Sequence, residues 1–492
     1  MVGKSLCNIL SCAVVLSGCA VGPDFQRPAP PTETGFTPEQ LPAQTAASQG
    51  HLGAAQKFVQ DLDIPGQWWA LFHSEDVNHL VEQALRSNPT LDAAQAALRQ
   101  AWENVEAQRG AYWPAVSAGL SASRNLTPVG AVSPASASGN PYYSLITPQL
   151  NVSFVPDVFG ANFRQVESLT ALAESQRYQL EAIYLTLTSN VVAAAVQEAS
   201  LRGQIAATEE TIRIETNLLG ILHRQLALGQ IAGSDVALQE AALAQAQQAL
   251  PPLRKQLAQQ RDLIANLTGL PPSAPPAQKF ELAGLVLPTE LPVSLPAKLV
   301  AQRPDVQAAE QNLHSASALV GVAIAARLPQ ITLTGEFGNE ANSVSRLFTP
   351  GTNFWTVAAG LTQPIFQGGT LLHKQRAAEA AFNQAQAQYR STVLAAMQNV
   401  ADALHALQAD ADAMHAAVAS ERAAARSLNI VRRQLALGKV AYLALLNAQQ
   451  TYQQVLLSRV QAEANRLADT AGLFQALGGG WWNRADAVPP RS

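Results

Sequence analysis

The sequence predicts a mainly helical, elongated fold built from two copies of one unit, each copy carrying a β-hairpin of membrane length. Three observations predict it. Two stretches of 68 residues, 161–228 and 370–437, contain no proline and only Gly203 and Gly220 between them; as single helices each would run about 100 Å. Both close on the same hexapeptide, Arg224 to Gly229 and Arg433 to Gly438, 209 residues apart. Upstream, Pro89 and Pro114 return as Pro304 and Pro329, with the same spacing of 25 and an offset of 215. A duplication whose second copy has lost a short piece of loop explains both offsets.

Residues 1–18 read as a signal peptide, with Lys4 at its head, the short apolar run Leu6 to Leu16, and a small-residue box ending at Cys19. This segment resembles a bacterial lipoprotein signal, which implies lipidation at Cys19. Cys7 and Cys12 leave with the signal, so no disulfide framework is expected in the mature chain. Residues 19–73, rich in Pro, Thr, Gln and Ala, read as an extended arm behind the anchor.

The first repeat spans 74–270. A helical run from Asn88-Pro89 stops at Trp113-Pro114 and gives way to alternation in Val116, Ala118, Leu120 and Ala122, the period of a strand with one wet face. With a second strand ending in Leu150, Val152 and Phe154, it makes a hairpin over 115–155, its loop at Arg124 to Pro141. The turn Pro156-Asp157-Val158-Phe159-Gly160 leads into the long helix 161–228, and the chain returns as helix 234–267. Residues 271–303, bounded by Pro304, read as a proline-rich linker.

The second repeat, 304–477, follows the same order, with a hairpin over 330–363, the long helix 370–437 and the return helix 441–477; the tail 478–492 reads as poorly ordered. In the long helix Val393, Met397, Val400, Leu404, Leu407, Ala411, Met414 and Val418 step alternately by four and three, the seam of a coiled coil. Leu180, Tyr184, Leu187, Val191 and Ala194 do the same in the first copy. The short helices of one copy, 90–113 and 234–267, total 58 residues against the 68 of the long one, so stacked end to end they could accompany it as a tube wall. No stretch after the signal has eighteen continuous apolar residues, so any membrane span falls to the strands. Four strands are too few to close a barrel alone, and several chains would have to pool them.

Charged residues are 14% of the chain and apolar ones 48%; the usual charged share is about a quarter, and the shortage suits extensive intersubunit or membrane-facing surface. The net charge of −4 leaves no footprint for nucleic acid. No Walker loop, H-E-x-x-H, G-x-S-x-G or C-x-x-C occurs, so no catalytic residue, cofactor or metal site is assigned. His73 and His79 share no helix face, and Asp410 and Asp412, two apart, do not form a dyad.

The chain resembles the TolC-like outer-membrane factors of tripartite efflux pumps, and within them the NodT-type lipoprotein branch. The resemblance rests on Cys19 to Phe25 with Arg27-Pro28, Trp68-Trp69 with Phe72, Leu80 to Pro89, Leu295 to Val306, the turn Gln363 to Gly369, and the tip Gly438 to Gln449. It implies a homotrimer with a 12-stranded outer-membrane barrel, four strands per chain, continuous with a periplasmic helical tunnel. It also implies passive export of drugs or other toxic compounds, with a periplasmic adaptor and an inner-membrane pump of the resistance-nodulation-division type as partners. The alternatives are the outer-membrane part of a type I protein secretion system and a coiled-coil structural lipoprotein without a pore; a lipoprotein enzyme is opposed by the missing acid/base sites. Arg224, Gly229, Arg433 and Gly438 are the expected adaptor-contact tips, and Asp410, Asp412, Glu421, Arg422 and Arg426 the candidates for a latch at the tunnel aperture. Two departures stand out: the second tip has Leu443-Ala444-Leu445 where the first has Ser234-Asp235-Val236, which argues against equal grip at the two tips, and Pro156-Asp157 replaces a common Trp-Glu-Leu-Asp run. Met397 and Met414, the only methionines after the initiator, offer few soft ligands for copper or silver cargo.

Overall fold

The computed structural model describes residues 20–39, 41–126 and 142–485. Cys19, the signal peptide and most of the first hairpin loop lie outside them. The helices are α1 (Glu75–Ser87), α2 (Pro89–Arg109), α3 (Ala161–Ala227), α4 (Gly233–Leu267), α5 (Pro296–Gln302), α6 (Pro304–Ala325), α7 (Thr370–Ala436) and α8 (Tyr442–Ala476). The strands are β1 (Lys57–Gln60), β2 (Ala115–Leu126), β3 (Tyr142–Phe154), β4 (Glu290–Val293), β5 (Gln330–Asn339) and β6 (Asn353–Thr362). The long helices are 67 residues each and end one residue before the stretches free of breakers do. Both offsets hold in the coordinates: β2 and β5 begin 215 residues apart, while α3 and α7, and then α4 and α8, begin and end 209 apart. The second copy's hairpin, 330–362 against 115–154, is seven residues shorter and its turn into the long helix one residue longer, which gives the net loss of six.

By contacts the chain forms two compact units, one of residues up to Arg27 with Leu98–Ser175 and Ala309–Tyr389, the other of the remainder. The first unit holds an antiparallel sheet ordered β2-β3-β5-β6. Its amino-terminal segment is packed tightly. Val21 donates its amide to Phe159 O at 3.1 Å, and a Cβ on Gly160 would meet Ala20 Cα at 2.6 Å, so only glycine permits the approach. Buried Arg164 donates to Asp24 and Glu167 at 2.7 Å each. Burial alone would lower its pKa, but the two carboxylates outweigh it and hold the guanidinium above its usual value. Phe25 stacks on His314 with ring centroids 4.3 Å apart, and His314 pairs with Glu167 at 2.9 Å.

In the second unit the coiled-coil seam is buried at Val393, Val400, Leu404, Leu407, Ala411, Met414 and Val418, with Met397 half-buried. The short helices meet end to end. Asn88, just before α2, donates to Leu267 O at the end of α4 at 2.8 Å, and Arg303, just before α6, donates to Ala476 O at the end of α8 at 3.0 Å. One joint thus appears in both copies, built on a different side chain in each. Helix α3 contains an 18-residue window of mean hydropathy 1.2, but 61% of that window is buried within the chain, as befits a core helix.

Three segments differ from the sequence expectation. The arm and the linker are not merely extended, because β1 pairs in parallel with β4, Lys57 opposite Glu290 through Gln60 opposite Val293. Four-residue strands are too short for a period to show, and their pairing spans the whole first repeat. The linker also folds α5 and buries Leu285, Leu287, Leu291 and Leu299. The tail is ordered as far as residue 485: Gly478, Gly479 and Gly480 all take positive φ, and Arg484 pairs with buried Glu181 at 2.7 Å while covering the Tyr184 ring. Glycine lets this backbone press against its neighbours, since a Cβ on Gly480 would lie 2.3 Å from Ile64 O. Residues 486–492 of the tail lie outside the described residues.

Candidate channel surface and helical tips

The register of the sheet sorts its side chains by chemistry. Ala118, Leu150, Phe337 and Trp355 lie in one cross-strand row, and Val116, Val152, Gly335 and Val357 in the next. The alternate rows read Ser117, Asn151, Glu336, Thr356 and Ala115, Ser153, Thr334, Ala358. Side chains alternate across a strand, so one face is a continuous apolar surface and the other is mainly polar. Val116, Leu120, Trp355, Val357 and Leu361 are all more than three-fifths exposed within the single chain. Exposed apolar area on that scale marks a surface meant for lipid or protein. Among the described residues β2 and β6 each pair on one side only, leaving both edges of the sheet open.

The turns between α3 and α4 and between α7 and α8 repeat atom for atom. Gly229 has φ 70° and Gly438 φ 67°. Gln230 donates its amide to Gln225 O and Lys439 to Gln434 O, each at 2.9 Å, while Gly229 and Gly438 donate to Leu226 O and Leu435 O, also at 2.9 Å. This is the glycine-terminated helix end in which orphan carbonyls are satisfied by the reversing chain. No atom lies within 4 Å of a Cβ added at either glycine, so the left-handed backbone alone demands it. Arg224 Nε donates back to Gly220 O and Arg433 Nε to Asn429 O, both at 3.2 Å. Beneath the turns one apolar cluster joins the two copies through Leu222, Val236, Leu428, Tyr442 and Leu445, while Leu228 and Leu437 stand exposed.

A buried polar network beside that cluster has no counterpart in the sequence analysis. Glu215, on α3, accepts from Gln239 Nε2 on α4, which also donates to the Glu215 carbonyl at 3.0 Å; Gln239 Oε1 accepts from the Tyr442 hydroxyl on α8. Burial first, then Glu215 and Asp235, raise the pKa of the Tyr442 phenol, so it stays a donor. Single polar residues in an apolar helix pattern carry no sequence signal of partnership.

The aperture candidates on α7 do not form one cluster within the chain. Glu421 pairs with Arg459 of α8 at 2.5 Å, and Arg422 donates to Gln49. Asp412 and Arg426 are exposed. Asp410 is half-buried, its Oδ2 without a hydrogen-bond partner, and faces Asp469 and Arg466. Burial, then the hydrogen bond and charge of Asp469, push its pKa up to about 7 against the pull of Arg466. Among the described residues no group of three His, Cys, Asp or Glu could hold a metal ion.

Long paired helices, glycine-ended tips and a two-faced sheet with open edges define a class: membrane channel proteins whose barrel continues into a helical conduit. The family model described as outer membrane efflux protein matches residues 80–270 and 295–479, and the chain belongs to that family. It is similar to the pyoverdine export outer membrane protein OpmQ of Pseudomonas putida, 28% identical over 421 residues, covering 85% of this chain and 89% of that one. The cation efflux system protein CusC of Escherichia coli is 28% identical over 493 residues, covering 95% and 97%. Among solved structures the outer-membrane channel OprN superposes with a TM-score of 0.83 at 25% identity, covering 94% of this chain and all of that one. The Campylobacter jejuni CmeC outer membrane channel shares the fold, with a TM-score of 0.82 at 21% identity, over 95% of this chain and 97% of that one. The protein is an outer-membrane channel component of an efflux system.

Proposed function

We propose that three copies join their sheets edge to edge, β6 to β2, into a 12-stranded barrel, and that their helices form a periplasmic tunnel. Through it, small molecules delivered by an inner-membrane pump of the resistance-nodulation-division type leave passively. The observation that carries this reading is the sheet, whose apolar face runs across four strands between two open edges, backed by a mainly polar face. Lipid must be met by a closed hydrogen-bonded wall, and pooled edges supply one. Native mass spectrometry of the detergent-solubilised protein should give a trimer, and planar bilayers should show stable conductance. A non-conducting monomer refutes the reading.

The amino-terminal arm is tethered through acylated Cys19. The packing of Ala20 on Gly160 supports this, because it seats the residue that follows Cys19 in the chain beside the turn where the sheet passes into α3. Mass spectrometry of the N-terminal peptide tests it, with an unmodified Cys19 as the contrary result. The tips at Arg224 to Gly229 and Arg433 to Gly438 contact a periplasmic adaptor, and photocrosslinkers placed at exposed Leu228 and Leu437 should yield adaptor adducts. For the aperture, exposed Asp412 and Arg426, with Arg422 beside Gln49, are the charges available to neighbouring copies, while Asp410 and Glu421 take part through their contacts with α8. Unchanged conductance in Asp412→Ala and Arg422→Ala removes them from that role.

OpmQ is named for pyoverdine export and CusC for cation efflux, while the toluene efflux pump outer membrane protein TtgF of Pseudomonas putida is 29% identical to this chain over 504 residues, covering 96% of each. Cargo so varied on one scaffold supports a conduit whose selectivity is set by the pump.

A further inference from the structure

The two tips share a backbone but differ in charge. Over residues 216–249 the first tip carries Arg224 against Asp235 and Glu240, net −1 with His223 neutral; over the matching 425–458 the second carries Arg426, Arg432, Arg433 and Lys439 against no carboxylate, net +4. Position by position, Arg426 stands for Asn217, Arg432 for His223 and Lys439 for Gln230, whereas Asp235 and Glu240 become Ala444 and Gln449. Every difference runs the same way. Helix-end electrostatics does not account for it, because α3 ends in the same turn with Arg224 alone. A cation also gains from the helix terminus only within the last turn, and Arg426 lies well before it. All four cations are exposed. The nearest carboxylate along α7, Glu421, is already committed to Arg459, as is Glu463 on α8. Around them stand the exposed apolar side chains Ile430, Leu437 and Leu443.

Exposed leucines ringed by unneutralised cations form a surface suited to a protein partner of opposite charge, since complementary potentials favour the right partner and repel wrong ones. The two carboxylates of a neighbouring copy's first tip are too few to neutralise four cations. We infer that the second tip docks an acidic helical surface of its partner, and that the first tip has no such preference. This rests on the proposed docking of the tips to an adaptor and gives that partner its chemistry.

The test uses the full-length protein in lipid nanodiscs and two soluble synthetic helical hairpins of one sequence, bearing Glu or Lys at their exposed positions. Fluorescence anisotropy should show the Glu hairpin binding roughly tenfold or more tighter than the Lys hairpin, with the preference shrinking as salt shortens the Debye length. Replacing Arg426, Arg432 and Lys439 together by Gln should abolish the preference. The variant Gln230→Lys, which adds a cation to the first tip, tests whether position matters, and a preference unchanged by it supports the inference. Equal binding of the two hairpins, or a preference that survives the triple replacement, overturns it. Crosslinks from Leu228 and Leu437 to an adaptor, obtained alongside equal hairpin binding, leave docking standing and sink only the acidic preference. Loss of both the crosslinks and hairpin binding sinks both. If the triple replacement shifts anion-over-cation permeability in planar bilayers while neither hairpin binds, the cations face cargo and the inference fails.

Discussion

The return helices α4 and α8 are each 35 residues long and begin and end at matching positions of the duplication, yet they live in different surroundings. Helix α4 tolerates Pro251 and Pro252 in its interior and buries five residues; α8 buries fourteen. The cause lies outside the repeats. Arg466 of α8, 1% exposed, donates to Leu52 O at 2.6 Å and to Ala54 O at 3.0 Å, and Thr470 accepts from Gln56 at 2.9 Å. The matching residue to Arg466 in α4 is half-buried Leu257. The comparison teaches that duplication copies backbone and core, while the unrepeated arm selects one copy as its support and changes the residues that face it. Where no arm leans, a proline pair survives on an exposed face.

Breaking the support should have the largest effect. Arg466→Met leaves the buried Leu52 carbonyl and the partly buried bond to Ala54 O without a donor, and with the lost charge contacts should cost about 3 kcal/mol or more; Leu257→Met should cost less than about 1 kcal/mol. Thermal unfolding and the rate of tryptic cleavage after Lys57 measure the contrast. Equal effects at both positions would remove the distinction between the helices.

The end-to-end joints sharpen the comparison next. Arg303 is nearly buried and holds both Ala476 O and Asp305, so Arg303→Ala should cost about 2 kcal/mol. Asn88 holds Leu267 O and also accepts the amide of Thr90 as a helix cap, so Asn88→Ala should cost about 1 kcal/mol. Thermal unfolding of the two variants ranks them.

At the tips the copies should behave alike. Gly229→Ala and Gly438→Ala should each cost about 1 kcal/mol, from the left-handed backbone alone, since neither Cβ would touch anything. A clear inequality in proteolytic nicking at the two turns would show that something besides backbone strain distinguishes them.

The last contrast is a pH dependence confined to the second copy. Asp410 stands where the first copy has buried Leu201. Its folded pKa of about 7 exceeds the ordinary carboxyl value of 3.8, so between those values the folded chain holds a proton that the unfolded chain releases. Stability contributed here is therefore full at or below about pH 4 and declines as pH rises toward 7. Asp410→Leu should flatten that part of the melting temperature against pH profile, whereas an unchanged slope would place the titration elsewhere.

Sequence by itself determined the helices and hairpin strands of the two repeats, the duplication and the glycine turns, because each is written locally. Freedom from helix breakers over 68 residues fixed α3 and α7 to within a residue at their ends, the period of two marked the strands, and a repeated hexapeptide marked both glycine turns. Only the tertiary structure decided what joins distant segments. The pairing of β1 with β4, the seating of the arm on Arg466, the clasp of Arg164 on Asp24, the Glu215–Gln239–Tyr442 network and the division of the α7 charges between α8 and solvent all link residues far apart in the chain. A lone buried arginine or glutamate looks in sequence like any exposed one, since its partner is set by packing and not by spacing. The apolar face of the sheet lies between the two cases: alternation foretold it strand by strand, but only the register of β3 on β5 made it continuous.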